Sequence, residues 1–118
     1  MQYLMLIMEH RDRRQQRKPG RAEAERAQMT AWGETLARRG ISKASESLKT
    51  LLSGVRITMR DGARAVVDGP FAESKEVVGG FFLLECDSKE EAVAIAGECP
   101  AAEWAIVELR EVGPCDNP

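Results

Sequence analysis

Residues 55–69 read VRITMRDGARAVVDG, and the topology of the chain follows from them. Val55, Ile57 and Met59 alternate with Arg56, Thr58 and Arg60, the period of an extended strand with one apolar face. Asp61-Gly62 then supplies the two positions that a two-residue hairpin turn holds in the left-handed region. Such a turn pairs Arg60 with Ala63, Thr58 with Ala65, Ile57 with Val66 and Val55 with Asp68. Residues 55, 57 and 59 share a face with 64, 66 and 68, because side chains alternate across a strand. Asp68 is therefore expected on the apolar side, at the base of the hairpin.

Beyond the hairpin, GGFFLLEC (79–86) is a short apolar run of the kind found in a covered strand. Ser88 and Glu91 form a capping box that opens a helix. That helix buries Ala92, Ile95 or Ala96, and Cys99, and stops before Pro100. Trp104 to Val112 is the last strand, with Ala105, Val107 and Leu109 on one face. Before the hairpin, Tyr3 to Met8 reads as a central strand. Arg21 to Arg39 reads as a helix, with Ala22, Met29, Trp32 and Leu36 in an apolar stripe and Gly40 as its stop. Gly33 inside it costs about 1 kcal/mol against Ala, which a close packing contact would explain. Ile41 to Leu52 is a weak strand with an irregular end.

The order is strand, helix, strand with an inserted hairpin, strand, helix, strand. This repeated split βαβ pattern predicts an α+β, ferredoxin-like fold, βαββαβ with an inserted β-hairpin. Residues 1–113 are read as a single domain and 114–118 as a short C-terminal tail. Two helices cover only one face of a four-stranded sheet, so a second copy is expected on the other, giving a homodimer with facing sheets.

A formal charge of −2 gives no reason to expect nucleic acid or an anionic membrane as partner. RDRRQQRK (11–18) is the local exception, with five cations and one acid. It reads as a solvated loop, the alternative being a contact with phosphate or an acidic partner. No apolar stretch approaches the roughly 20 residues of a membrane span, and the start lacks a signal-peptide pattern. Cys86, Cys99 and Cys115 are odd in number and widely spaced, which fits a reducing cytoplasm and neither disulfides nor zinc. No phosphate-binding glycine loop and no G-x-S-x-G occur, so no cofactor or metal is expected.

A carboxylate on the apolar side of a hairpin loses hydration, and its pKa rises unless a cation or backbone N–H groups hold the charged form. Asp68 is on that ground a candidate general acid or base. The alternative is that Asp68, ahead of Gly69-Pro70, only shapes a turn. Gly79-Gly80 marks either a bulge or a close approach of backbone or ligand. With Glu73, Lys75 and Glu76, these features would bracket a pocket mouth; the alternative is an ordinary solvated loop.

The block Asp68-Gly69-Pro70-Phe71-Ala72-Glu73, followed by Lys75-Glu76 and Gly79-Gly80, resembles the YCII-related family, specifically its DGPF branch. The resemblance runs from YLMLIME to Val112 and implies a ferredoxin-like fold of the dimeric α/β-barrel type. It implies less about activity, since most DGPF members are uncharacterised. Many are encoded beside extracytoplasmic-function sigma factors, which suggests a regulatory context. Some members of the wider family are thought to use a histidine–aspartate pair with the histidine in the first helix. Here Met29 stands near that place, and the single histidine is His10, at the end of the first strand.

His10 and Asp68 are accordingly the candidate catalytic residues. Gly69, Pro70, Phe71, Glu73, Lys75, Gly79 and Gly80 are the candidate ligand-binding ones. The expected function is a homodimer that binds an unidentified small molecule, with acid–base chemistry in a pocket between the first helix and the sheet near Asp68. The alternatives are a non-catalytic regulatory or interaction protein linked to a sigma factor, and a purely architectural DGPF block.

Overall fold

A computed structural model describes residues 1–116 of the chain. Its elements are β1 (Gln2–His10), α1 (Arg13–Gln16), α2 (Arg21–Arg38), β2 (Ser42–Ser47), β3 (Val55–Arg60), β4 (Ala63–Asp68), β5 (Glu76–Glu85), α3 (Lys89–Gly97) and β6 (Ile106–Glu111). Single 3₁₀ turns cover Leu51–Ser53 and Pro100–Glu103. The main sheet runs β2-β5-β1-β6, and every neighbouring pair is antiparallel. That order is compatible with the ferredoxin-like arrangement, and β3-β4 is the insertion. Of the tail expected at 114–118, residues 117 and 118 lie outside the described residues.

Alternation along β1 sends Tyr3, Met5, Ile7 and Glu9 toward the helices. Tyr3 and Met5 form the core there with Leu36 of α2, Phe82 and Leu84 of β5, and Ile95 of α3. Gly33 has the packing reason the sequence called for: a Cβ there would stand 3.3 Å from the Phe82 ring, which Trp32 meets edge-on at 5.2 Å. The cap of α3 differs by one residue from the expected box. Ser88 Oγ accepts from the Glu91 N–H, but the Glu91 carboxylate accepts from the N–H of Asp87. Cys86 and Cys99 are buried, and Cys115 is exposed. On the opposite face of the sheet, Leu4, Leu6, Met8, Phe81 and Leu83 are half-buried and belong to no core cluster.

The hairpin has the predicted register, residue for residue, from Val55 opposite Asp68 to Arg60 opposite Ala63. Asp61 and Gly62 take positive φ values of 50° and 78°, as the two-residue turn requires. Its surroundings are not as expected. β3 and β4 form a sheet of their own, and all their residues are exposed. The arm stretches the molecule to a radius of gyration of 16.3 Å, against about 13.5 Å for a compact chain of this length. Asp68 therefore faces the same side as Val55, Ile57 and Val66, but nothing among the described residues covers that side.

The second correction concerns residues 11–18. They are not a solvated loop: Asp12 leads into the helical turn of α1, and Arg11, Arg13, Arg14 and Arg17 are half-buried.

Candidate functional site

Two glutamates occupy positions that the apolar pattern reserves for core. Glu9 continues the inward face of β1, and Glu25 falls within the α2 stripe of Ala22, Met29, Trp32 and Leu36. They are 7% and 4% exposed. Buried carboxylates need cations and hydrogen bonds, since desolvation of an unpaired charge is costly. The arginines of 11–18 and the start of α2 supply them.

Arg13 forks onto both oxygens of Glu25, its Nη1 lying 2.9 Å from Oε1. Arg17 Nη1 donates to Oε1 at 3.2 Å, and Arg21 Nε to Oε2 at 2.8 Å. Burial pushes the Glu25 carboxyl up, but hydrogen bonds from Arg13, Arg17 and Arg21 prevail and bring its pKa down to about 2. The same bond to Glu25 raises the pKa of Arg13. The guanidinium groups of Arg13 and Arg21 also lie over the Trp104 ring, 5.5 and 5.3 Å from its centroid.

Arg14 serves Glu9. Its Nε is 2.6 Å from Glu9 Oε1, while Nη1 donates to the Leu48 carbonyl at 2.5 Å and Nη2 to the Gly79 carbonyl at 3.0 Å. Glu9 Oε2 is 3.7 Å from Arg13 Nη1. The glycine pair makes this possible. The β1–β5 register slips between Ile7–Gly80 and Met8–Val78, so Gly79 is the extra residue of a β-bulge. A Cβ on Gly79 would stand 2.6 Å from Glu9 Oε1 and 2.9 Å from Arg14 Nη2. Of the two sequence readings the bulge is the one found, and what presses against Gly79 is a pair of side chains, not another backbone or a ligand.

Beside this group, α2 and the sheet border an open cavity of about 640 Å³. Ile7, Met29 and Phe82 give it an apolar floor, and Glu9, Arg14 and Arg17 stand in its wall. Cavities of this size with a few fixed polar groups are the usual form of a small-molecule site. Among the described residues, no three His, Cys, Asp or Glu side chains gather as metal ligands would.

Of the residues singled out in the sequence, Gly79 and Gly80 line the cavity. Asp68, His10, Gly69, Pro70, Phe71, Glu73 and Lys75 do not. Asp68 is exposed at the end of β4. His10 is exposed at the end of β1, where its Nδ1 accepts from the Asp12 N–H at 3.2 Å. No hydrogen bond or ion pair joins His10 to Asp68.

The remainder of the block braces the base of the hairpin. The Gly69 N–H donates to the Gly54 carbonyl at 2.7 Å, and a Cβ on Gly69 would fall 2.0 Å from the Leu51 carbonyl oxygen. Phe71 is buried beneath the Arg56 guanidinium, which lies 3.9 Å from its ring centroid. Arg56 also pairs with Glu73 and donates to Ser74 Oγ at 2.7 Å. From the other side, Arg11 donates to the carbonyls of Phe71 and Ser74 at 2.6 and 3.2 Å. Its own N–H reaches the Lys75 carbonyl at 2.9 Å.

No helix among the described residues is long and apolar enough to cross a membrane. Compared with known proteins, the chain matches the YCII-related domain over residues 1–116, and it belongs to that family. A stretch of 35 residues is 51% identical to an uncharacterized protein, R00369, of Rhizobium meliloti (strain 1021). That stretch is 30% of this chain and spans only 28% of the relative's length. Among solved structures, the chain is similar to 5-chloro-2-hydroxyhydroquinone dehydrochlorinase (TftG) from Burkholderia phenoliruptrix AC1100, in complex with 2,5-dihydroxybenzoquinone. The TM-score is 0.50 at 14% identity, over 96% of this chain and 94% of the other, a likeness of fold.

Proposed function

We propose that this chain is a small-molecule-binding homodimer of the DGPF branch, with acid–base chemistry at Glu9 in the cavity between α2 and the sheet. The observation that carries the reading is a buried carboxylate in the wall of a 640 Å³ cavity, held there by an arginine that a glycine bulge admits. Glu25 is less suited to proton transfer, because three arginines occupy its oxygens and keep it ionised. Glu9 Oε2 accepts no hydrogen bond among the described residues, Arg13 Nη1 standing 3.7 Å away, which leaves this oxygen to meet an acidic proton of a ligand in the cavity. Isomerisation or lyase-type proton transfer fits one such carboxylate. The fold neighbour is named for a reaction on a small organic molecule, which agrees in kind. Asp68 and His10, exposed in the single chain, are assigned no step.

Two uncovered apolar surfaces support the homodimer. One is the free face of the sheet, with Leu4, Leu6, Met8, Phe81 and Leu83; the other is the arm, with Val55, Ile57 and Met59. The same arm favours a second reading, a non-catalytic protein that acts through a protein partner. The test incubates wild type and Glu9→Gln with a small-molecule cell extract and follows metabolites by mass spectrometry. Depletion of one metabolite beyond the protein's own concentration, lost in Glu9→Gln, is the expected result. Stoichiometric retention equal in both proteins would remove the chemistry and leave a binder. No change with either protein would overturn the reading in favour of a protein partner.

A further inference from the structure

The arginine cluster carries more positive charge than the acids paired with it among the described residues neutralise. Arg13, Arg14, Arg17 and Arg21 are shared between two buried carboxylates, Glu9 and Glu25. Two positive charges are left without a counter-charge in the cluster. Arg13, Arg14 and Arg17 are only 19–23% exposed, so water replaces that counter-charge poorly.

The surplus has a direction. Arg17 gives Nη1 to Glu25 and Nε to the Arg14 carbonyl at 3.4 Å, and its Nη2 has no hydrogen-bond partner among the described residues. Arg26, next to Glu25 on α2, lines the same cavity and has no ion pair or side-chain hydrogen bond among the described residues. Eight residues further along α2, about 12 Å at 1.5 Å per residue, the lining residue is Glu34. Glu34 has no ion pair among the described residues. Met29, Gly33 and Phe82 lie between the two ends. The cavity therefore has a cationic end, an apolar middle and an acidic far rim.

We propose that the cavity takes an amphipathic organic anion, a carboxylate or phosphate monoester, with its head on Arg17 and Arg26 and its apolar body over Met29 and Phe82. Guanidinium N–H groups bind such heads through paired, charge-assisted hydrogen bonds. Glu34 repels the head from the opposite end and fixes the orientation. The inference rests on the reading of the cavity as a ligand site and adds the class of ligand.

Isothermal titration of the full chain with octanoate, octyl phosphate, octylamine and inorganic phosphate tests it. Octanoate or octyl phosphate is expected to bind, and the tighter of the two identifies the head group. Octylamine and inorganic phosphate are expected to be at least about tenfold weaker. Arg17→Gln and Arg26→Gln should each weaken the anion about tenfold. Arg26 is exposed and makes no ion pair or side-chain hydrogen bond among the described residues, so Arg26→Gln keeps the test clear of misfolding. Octylamine matching the anions, or anion affinity unchanged in Arg26→Gln, would overturn the anion class while leaving the cavity a ligand site. Inorganic phosphate equal to octyl phosphate would overturn the apolar body. Failure of all four probes would also sink the inference; metabolite retention in the extract assay would then still support the broader reading.

Discussion

Glu25→Gln removes the charge that gathers Arg13, Arg17 and Arg21, and its cost can be worked from the geometry. The folded-state pKa is about 2 against an ordinary value of 4.5. A depressed carboxylate pKa adds stability that is fully present above the unfolded value and is lost as pH falls through the folded one. At 1.36 kcal/mol per pH unit, the ionised form contributes about 3 kcal/mol at pH 7 and about 1.4 kcal/mol at pH 3. For a chain of this length, 3 kcal/mol corresponds to roughly 12 °C in Tm. The assay is urea unfolding of wild type and Glu25→Gln at steps from pH 7 to pH 3. Because the other carboxylates titrate in both proteins, the quantity to follow is the difference between them. It should be about 3 kcal/mol at neutral pH and should shrink by about half toward pH 3. A difference below about 1 kcal/mol at pH 7, or one that stays constant down to pH 3, would refute the assignment of Glu25 as the ionised hub.

Gly69→Ala places a Cβ 2.0 Å from a backbone oxygen, Leu51 O, which cannot turn aside as a side chain would. It should cost at least about 3 kcal/mol and loosen the base of the arm. Thermal unfolding and amide exchange across 54–71 check this, and an unchanged Tm would show that the close approach does not exist in solution. Ile57→Asp should leave the stability of a lone chain within about 0.5 kcal/mol, since Ile57 is 63% exposed. In the proposed homodimer it should instead shift sedimentation toward monomer. A variant that sediments as wild type would take the arm out of the interface.

The parts of the fold set by local chemistry were legible in the sequence. Asp61-Gly62 dictates a two-residue turn, the turn dictates register, and all the pairs follow. What the register cannot say is whether anything packs on the face it defines, so Asp68 was placed on the correct side of a strand that its own chain leaves bare. The arginine cluster was missed for the opposite reason. Its ion pairs join residues up to twelve positions apart, from Arg13 to Glu25, and five cations in eight residues look the same whether they meet water or buried carboxylates. A signal was nonetheless present. Glu9 follows Tyr3, Met5 and Ile7 at strand spacing, and Glu25 sits between Ala22 and Met29 at helix spacing. A charged residue at an inward position of a clear pattern requires a partner, and cations four to twelve positions away in sequence supply it.

The formal charge of −2 conceals this arrangement because the charges are segregated. Four arginines and two glutamates form a partly buried cluster with a surplus of two positive charges, so the rest of the chain is more acidic than the total suggests. The run from 11 to 18 also reaches two sites at once. Arg14 ties β5 and the segment after β2 to Glu9 at the cavity, while Arg11 ties the Phe71–Lys75 segment at the foot of the arm. The geometry of the Gly-Pro-Phe brace and that of the cavity need not be separate devices, since the arginines that hold them, Arg11 and Arg14, stand three positions apart in one short basic segment. Net charge sums over such contacts, whereas recognition depends on where the unmatched charges stand; here Arg17 and Arg26 stand in the wall of the cavity.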